Sequence, residues 1–138
     1  MEKTGTATVV KHTGSHYMLS ELPEWAPFPA VIRGKIRLRG SKATNPVAVG
    51  DVVDFSASDS EDMAAITAIH PRRNYVIRRS VNPSRESHIL AANLDTVFLI
   101  VTMILPETKL AFVDRFLVTC EAYGIHATIL INKTDIKE

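Results

Sequence analysis

The chain has 138 residues, 46% of them hydrophobic and 22% charged, which places it with ordinary globular proteins and excludes a disordered or fibrous chain. Sixteen Lys and Arg against fifteen Asp and Glu give a net charge of +1, a balance that marks neither a nucleic-acid binder nor an acidic scaffold. The sum hides a split: twelve basic face nine acidic side chains up to residue 90, and four face six beyond it, so the two parts are expected to have different partners. The single cysteine, Cys120, can form neither an internal disulfide nor a cysteine-based zinc site, which suits a reducing compartment. No apolar run is long enough to span a bilayer, and Met1-Glu2-Lys3-Thr4 is not followed by the apolar stretch of a secretory signal. A cytoplasmic protein with no membrane partner is the expectation.

From Gly5 to about His70 short extended segments alternate with turn residues, the grammar of an all-β domain. Strands are expected at Thr6 to Lys11, His16 to Leu19, Ala30 to Leu38, Asp51 to Phe55 and Met63 to Ile69. Five strands in so short a stretch suit a small closed barrel, because closure removes exposed edges. An OB-fold over residues 1 to 72 is the first expectation and an SH3-like barrel the second. Residues 73 to 90, with Arg73, Arg78, Arg79, Arg85 and Pro83, read as a basic linker. After Ala91 the grammar changes. Val97-Phe98-Leu99-Ile100-Val101 suits a strand covered on both faces. Thr108 is the expected N-cap of a helix in which Leu110, Val113, Leu117 and Cys120 recur at helical spacing, with Gly124 ending it. A second buried strand follows at Ala127 to Ile131. Strand, helix and parallel strand make a βαβ unit, so residues 91 to 138 read as the start of an α/β domain and the whole chain as α+β.

Directly after that second strand stands Asn132-Lys133-Thr134-Asp135. Ligands of open α/β sheets sit beyond the carboxyl ends of the strands, which is where this tetrapeptide falls. Guanine presents two adjacent donors, N1–H and N2–H, and a carboxylate such as Asp135 accepts both, whereas adenine offers an acceptor at the corresponding ring nitrogen. Each such charge-assisted bond contributes about 1.5–3 kcal/mol. Asn132 can address the N7 edge, and the stem of Lys133 can lie over the base while its ammonium stays wet. The bland reading is a polar turn after a strand.

N-K-x-D is the guanine-specificity motif of the GTPase superfamily, but no phosphate loop precedes it here. Gly34-Lys35 is followed by Ile36 and preceded at the fifth position by Pro29, and no glycine has an aspartate three residues before it, as D-x-x-G requires. The order of motifs resembles instead the RsgA family, the circularly permuted GTPases of small ribosomal subunit maturation. The matching residues are Arg33-Gly34-Lys35, Pro46-Val47-Ala48-Val49-Gly50-Asp51, Arg72-Arg73-Asn74, Ala91-Ala92-Asn93-Leu94-Asp95, Ile100-Val101, Val113-Asp114-Arg115-Phe116-Leu117 and Asn132-Lys133-Thr134-Asp135. The resemblance covers essentially the whole chain and implies an rRNA-binding OB domain followed by a P-loop-GTPase-like domain whose motif order begins with N-K-x-D. It implies GTP or GDP as ligand and the small ribosomal subunit as partner. The family's phosphate loop, its Mg²⁺ ligands and its Zn²⁺ domain come later in its order, so this chain is expected to correspond to the N-terminal portion, to be inactive in hydrolysis by itself, and to self-associate if its partial α/β domain lacks cover.

Arg33, Lys35, Arg37 and Arg39 alternate with Ile32, Gly34, Ile36 and Leu38, and period two puts the four cations on one strand face. Such a stripe can track a nucleic-acid backbone through counterion release, and Arg72 and Arg73 can extend it. Its bland reading is a solvated outer face, although four cations without an interleaved acid are unusual there. Tyr17, Trp25 and Phe28 serve equally as base-stacking groups or as barrel core. His12 and His16 read as surface histidines, and Cys120 as core. Two further readings stay open: a stand-alone RNA-binding module with the βαβ unit as scaffold, and a guanine-nucleotide binder completed by another chain.

Overall fold

The computed structural model describes residues 2–33, 47–78 and 88–135. Two compact units form, Met1–Asn93 and Leu94–Glu138.

The first unit is built on five strands, β1 (Glu2–His12), β2 (Tyr17–Ser20), β3 (Phe28–Ile32), β4 (Val52–Ser58) and β5 (Ala64–Ile69). They close in the order β1-β2-β3-β5-β4, back to β1. All neighbours are antiparallel except β3 and β5, where Ala30, Val31 and Ile32 run parallel to Ala64, Ala65 and Ile66. This is the OB topology. Closure depends on β1, which is long enough to pair with both neighbours: Thr8 lies opposite Ser20 on one side and Val52 on the other. A register shift between Val9 and Lys11 bends it, as a bulge at a barrel corner does.

Period two decides which side chains face the barrel axis. Ala7 and Val9, Tyr17 and Leu19, Val53 and Phe55, and Ala64 and Ile66 alternate inward and are buried. Phe28 and Phe55 meet with ring centroids 4.9 Å apart at 59°, the tilted arrangement aromatic pairs prefer. Burial, with a smaller contribution from the Asp51 carboxylate, pushes the Tyr17 phenol above its ordinary value.

The stretch read as a linker holds two paired strands, β6 (Tyr75–Arg78) and β7 (His88–Ala92), antiparallel with Tyr75 opposite Ala92. Tyr75-Val76-Ile77 and Ile89-Leu90-Ala91-Ala92 are short apolar runs hidden among arginines, and Val76 and Ala92 are buried. A bridge from Val49 to Ala91 and a bond from the Ala92 N–H to the Val49 carbonyl, 2.8 Å, attach this pair to the barrel. Gly50 makes the approach possible. Its φ is +95°, and a Cβ there would stand 1.9 Å from the Ala92 carbonyl oxygen.

In the second unit β8 (Thr96–Thr102) runs parallel to β9 (His126–Asn132), with Thr96 opposite His126 and Thr102 opposite Asn132, and α1 (Leu110–Ala122) connects them. The helix end is a Schellman turn: the Ile125 N–H donates to the Cys120 carbonyl at 2.8 Å and the Gly124 N–H to the Glu121 carbonyl at 3.1 Å. Gly124 supplies the required φ of +66°. Cys120 and Ile125 are buried, and burial raises the Cys120 thiol pKa, so Cys120 is a core group as expected.

The helix N-cap is Lys109, without a side-chain capping bond, rather than the expected Thr108. The second strand, expected to be buried, has no buried residue, and Ile129, Leu130 and Ile131 are exposed. Strand β8 is covered on one face, not both as expected. Leu99 and Val101 are buried, while Phe98 and Ile100 are each 62% exposed, because among the described residues one helix covers a two-stranded sheet. Leu110, at the first turn of the helix, lies outside the buried stripe.

A side chain at Gly50 is expected to destabilise the barrel far more than one at Gly124. Gly50→Ala combines a left-handed φ with a backbone clash and should cost about 3 kcal/mol or more, against about 1 kcal/mol for Gly124→Ala, where nothing lies within 4 Å. Urea denaturation of the two variants measures the difference, and equal losses would contradict the close approach.

Candidate functional site

The tetrapeptide Asn132-Lys133-Thr134-Asp135 starts on the last residue of β9 and turns away from the sheet at the carboxyl end of two parallel strands. All four residues are exposed. The turn is enforced at Lys133, whose φ of 57° is left-handed. Its ammonium donates to the Leu105 carbonyl at 2.6 Å, so the loop after β9 is joined to the loop after β8. The amide of Asn132 and the carboxylate of Asp135 are thus accessible on one sheet end, and acceptor and donor groups there can meet a planar heterocycle edge-on.

The basic residues divide. Arg33, directly after β3, is exposed and forms an ion pair with Glu61 from the β4–β5 turn. The hydrogen bond that Arg33 donates to the Glu61 carboxylate, and then that carboxylate's charge, raise the Arg33 pKa above its ordinary value. An acid therefore stands against Arg33, delivered by a neighbouring turn. Lys35, Arg37 and Arg39 lie outside the described residues. Arg72 is turned inward: Nε donates to Asp51 Oδ1 and Nη2 to Oδ2, both at 2.7 Å. Asp51 has no exposed surface and also accepts the Ala48 N–H at 2.8 Å. Arg73 is partly engaged, its N–H donating to Asn93 Oδ1 at 2.7 Å and its guanidinium to the Asn93 carbonyl at 3.2 Å.

Asn93 completes a knot that sequence spacing does not reveal. It adopts φ 54°, donates through Nδ2 to the Gly50 carbonyl at 2.9 Å, and gives its own N–H to the Asn74 carbonyl at 2.9 Å. The strings Val47 to Asp51, Arg72 to Asn74 and Ala91 to Asn93, far apart in sequence, meet at one place. The available signal was the residue types: an aspartate beside glycine, an arginine pair before asparagine, and an asparagine after an apolar run are groups able to satisfy one another.

Of the aromatic candidates, Tyr17 is buried and stacks on His12 with centroids 4.3 Å apart, so its ring is committed. Phe28 is half-buried against Phe55, and Trp25 is 69% exposed. His16 meets the hydroxyls of Thr13 and Ser15 through Nδ1, each at 3.1 Å. Among the described residues no group of three or more His, Cys, Asp or Glu side chains is placed to hold a metal ion, and no helix is long and apolar enough to cross a membrane.

The described residues thus combine an OB barrel with a parallel βαβ element that carries N-K-T-D at its strand end. The RsgA GTPase family matches residues 69–138, and the chain belongs to that family. The small ribosomal subunit biogenesis GTPase RsgA of Flavobacterium johnsoniae is 48% identical over 133 residues, covering 94% of this chain and 40% of that protein. The protein of the same name from Bacteroides fragilis is also 48% identical, over 92% of this chain and 40% of its own length. Among solved structures, YjeQ from Thermotoga maritima superposes with a TM-score of 0.65 at 26% identity, covering 99% of this chain and 44% of that one. YloQ, described as a circularly permuted GTPase, gives 0.62 at 25% identity, covering 99% and 43%. The chain thus spans about 40% of the length of the curated relatives it matches.

Because Asp51 is fully buried, Arg72→Leu strands its charge and should lower stability by about 3–5 kcal/mol. Arg73→Leu, at an exposed site, should cost less than about 1 kcal/mol. Thermal unfolding of both variants checks this, and the double replacement Asp51→Leu with Arg72→Leu should recover part of the loss.

Proposed function

We propose that this chain supplies the rRNA-binding barrel and the guanine-selecting loop of a cytoplasmic GTPase that acts in late maturation of the small ribosomal subunit. The observation that carries the reading is the position of Asn132-Lys133-Thr134-Asp135 at the carboxyl end of a parallel strand, in a chain whose first unit is a closed OB barrel. Its support comes also from relatives named as small ribosomal subunit biogenesis GTPases. On this reading residues 1–72 are the RNA-binding domain, 73–90 join it to the rest, and 91–138 open the GTPase domain.

The division of labour follows from the residue chemistry. Asp135 accepts the N1–H and N2–H of guanine, Asn132 meets the N7 edge, and the Lys133 stem covers the base. Arg33, Lys35, Arg37, Arg39 and Arg73 contact the rRNA backbone, and Arg72 underlies that surface by neutralising Asp51. These 138 residues contain no G-x-x-x-x-G-K-[ST] and no D-x-x-G. They do not fit a phosphate cradle or Mg²⁺ ligation, and no step of hydrolysis is assigned to them. Among the described residues no group of three or more His, Cys, Asp or Glu side chains is placed to hold Zn²⁺.

Binding of this chain to purified small ribosomal subunits across a salt series tests the proposal. The affinity should fall steeply with salt, by about 0.7 in the log–log slope for each single-stranded phosphate neutralised, and should not depend on guanine nucleotide. Replacing Arg33, Lys35, Arg37 and Arg39 with Glu should abolish binding, while Asp135→Asn should leave it intact and weaken guanine nucleotide binding. Absence of binding at low salt overturns the RNA half of the reading.

The Arg33–Glu61 pair adds a sharper expectation. Glu61 competes with phosphate for Arg33, so Glu61→Gln should tighten binding about two- to fivefold and steepen the salt slope by about one phosphate. Titration of the same subunits with the variant reads both quantities.

A further inference from the structure

Thr108 has the residue type of a helix cap, stands one residue before the actual cap, and does not cap the helix. Its bonds run the other way. The Thr108 N–H donates to the Thr102 carbonyl at 2.8 Å, and the Thr108 hydroxyl oxygen accepts the Thr102 N–H at 2.9 Å. The two bonds clasp the ends of the loop from Met103 to Glu107, and the Thr102 hydroxyl adds a bond to the Pro106 carbonyl inside it. Apolar burial contributes little to this loop, since Met103 and Leu105 are exposed and Ile104 is only half-buried.

The clasp sits beside the guanine loop by register, because Thr102 lies opposite Asn132. Leu105 within the loop has φ 52°, and Lys133 across from it has φ 57°. Left-handed backbone at two non-glycine residues costs about 1 kcal/mol or more at each and persists where the surroundings dictate it. Here the two strained residues are joined to one another: the Lys133 ammonium donates to the Leu105 carbonyl at 2.6 Å. An otherwise free lysine side chain has many rotamers, and this bond fixes the far end of its four-carbon stem between the two loops.

We propose that Thr108 is a positioning residue of the guanine site: its clasp on Thr102 aims the Leu105 carbonyl at the Lys133 ammonium, so that the lysine stem is set for the nucleobase before the base arrives. This rests on the reading of Asn132-Lys133-Thr134-Asp135 as a guanine-binding loop. It assigns the 102–108 loop a task in binding the purine face, separate from the edge selection made by Asp135. Losing the clasp therefore weakens all purine nucleotides that share that face, without altering the preference for the 2-amino group.

Two measurements on the full chain test this. In the ligand-free protein, nitrogen-15 NMR should show the Lys133 ammonium protons exchanging with water more slowly than in the urea-denatured chain. Thr108→Val should remove that protection and Thr108→Ser should keep it. Titration with GDP and with IDP, which lacks the 2-amino group, should show both affinities falling about three- to tenfold in Thr108→Val with their ratio unchanged, and restored in Thr108→Ser. Asp135→Asn should instead collapse the ratio. Unaltered ammonium exchange in Thr108→Val overturns the proposal, as does a changed GDP to IDP ratio or an unchanged GDP affinity. A wild-type chain that binds neither nucleotide overturns the guanine reading and with it the purpose of the clasp, whereas the exchange measurement still reports whether the clasp exists.

Discussion

A carboxylate with no exposed surface has to be neutralised by the fold around it, and Asp51 draws its partners from both sides in sequence. Ala48 reaches it from the preceding turn and Arg72 from beyond β5, placing one bond of 2.7 Å on Oδ1 and bonds of 2.8 and 2.7 Å on Oδ2. Stranding such a charge is far more costly than never having buried it. The chain therefore cannot assemble the barrel without bringing the segment after β5 back against the turn before β4. Once Arg72 is fixed there, Arg73 and Asn74 follow, and they deliver their backbone to Asn93. The ion pair thus determines where the barrel ends and where the second unit's chain departs.

The same constraint separates charge that serves structure from charge that can serve binding. Arg72 and Arg73 are adjacent and chemically identical, yet one guanidinium is buried in a bidentate pair while the other lies at the surface. Arg33 is exposed but held by an acid of a neighbouring turn, a solvent-exposed contact weak enough to be exchanged for a stronger anion. Sequence counts the three alike.

Much of the architecture was legible because its signals are periodic. Alternation at Ala7-Val9, Tyr17-Leu19 and Val53-Phe55 marks barrel strands, and Val113, Leu117 and Cys120 mark the inner face of α1. The boundaries of β2, β4 and β5 shift by a few residues at most, β3 begins two residues early and ends at Ile32 while residues 34–38 of the stretch expected to reach Leu38 lie outside the described residues, and Asn132 falls at a strand end as its context demanded. What was not legible depends on partners distant in the chain. Tyr75-Val76-Ile77 is too short to stand out among arginines and becomes a strand through pairing with Ile89 to Ala92. Thr108 has the chemistry of a cap, but a neighbouring backbone, that of Thr102, competes for its hydroxyl. Val97 to Val101 has the composition of a doubly covered strand, and composition does not say how much cover residues 94–138 supply. The commitment of Arg72 to Asp51 is invisible for the same reason.

The shared strand β1 has a consequence for how the barrel forms. Glu2 pairs with Ser58, and Thr8 with both Ser20 and Val52, so the first stave laid down is also the last to be closed. Contacts of such sequence separation must overcome loop-closure entropy before they return any stabilisation, which makes this unit slow to nucleate. Emerging from a synthesising ribosome, residues 2–12 have to wait beside β2 with one edge unpaired until β4 has left the exit tunnel, whereas β8, α1 and β9 are joined by a single short crossover. The barrel is therefore the unit whose closure is the more delayed, and the edge of β1 is open to mispairing in the meantime.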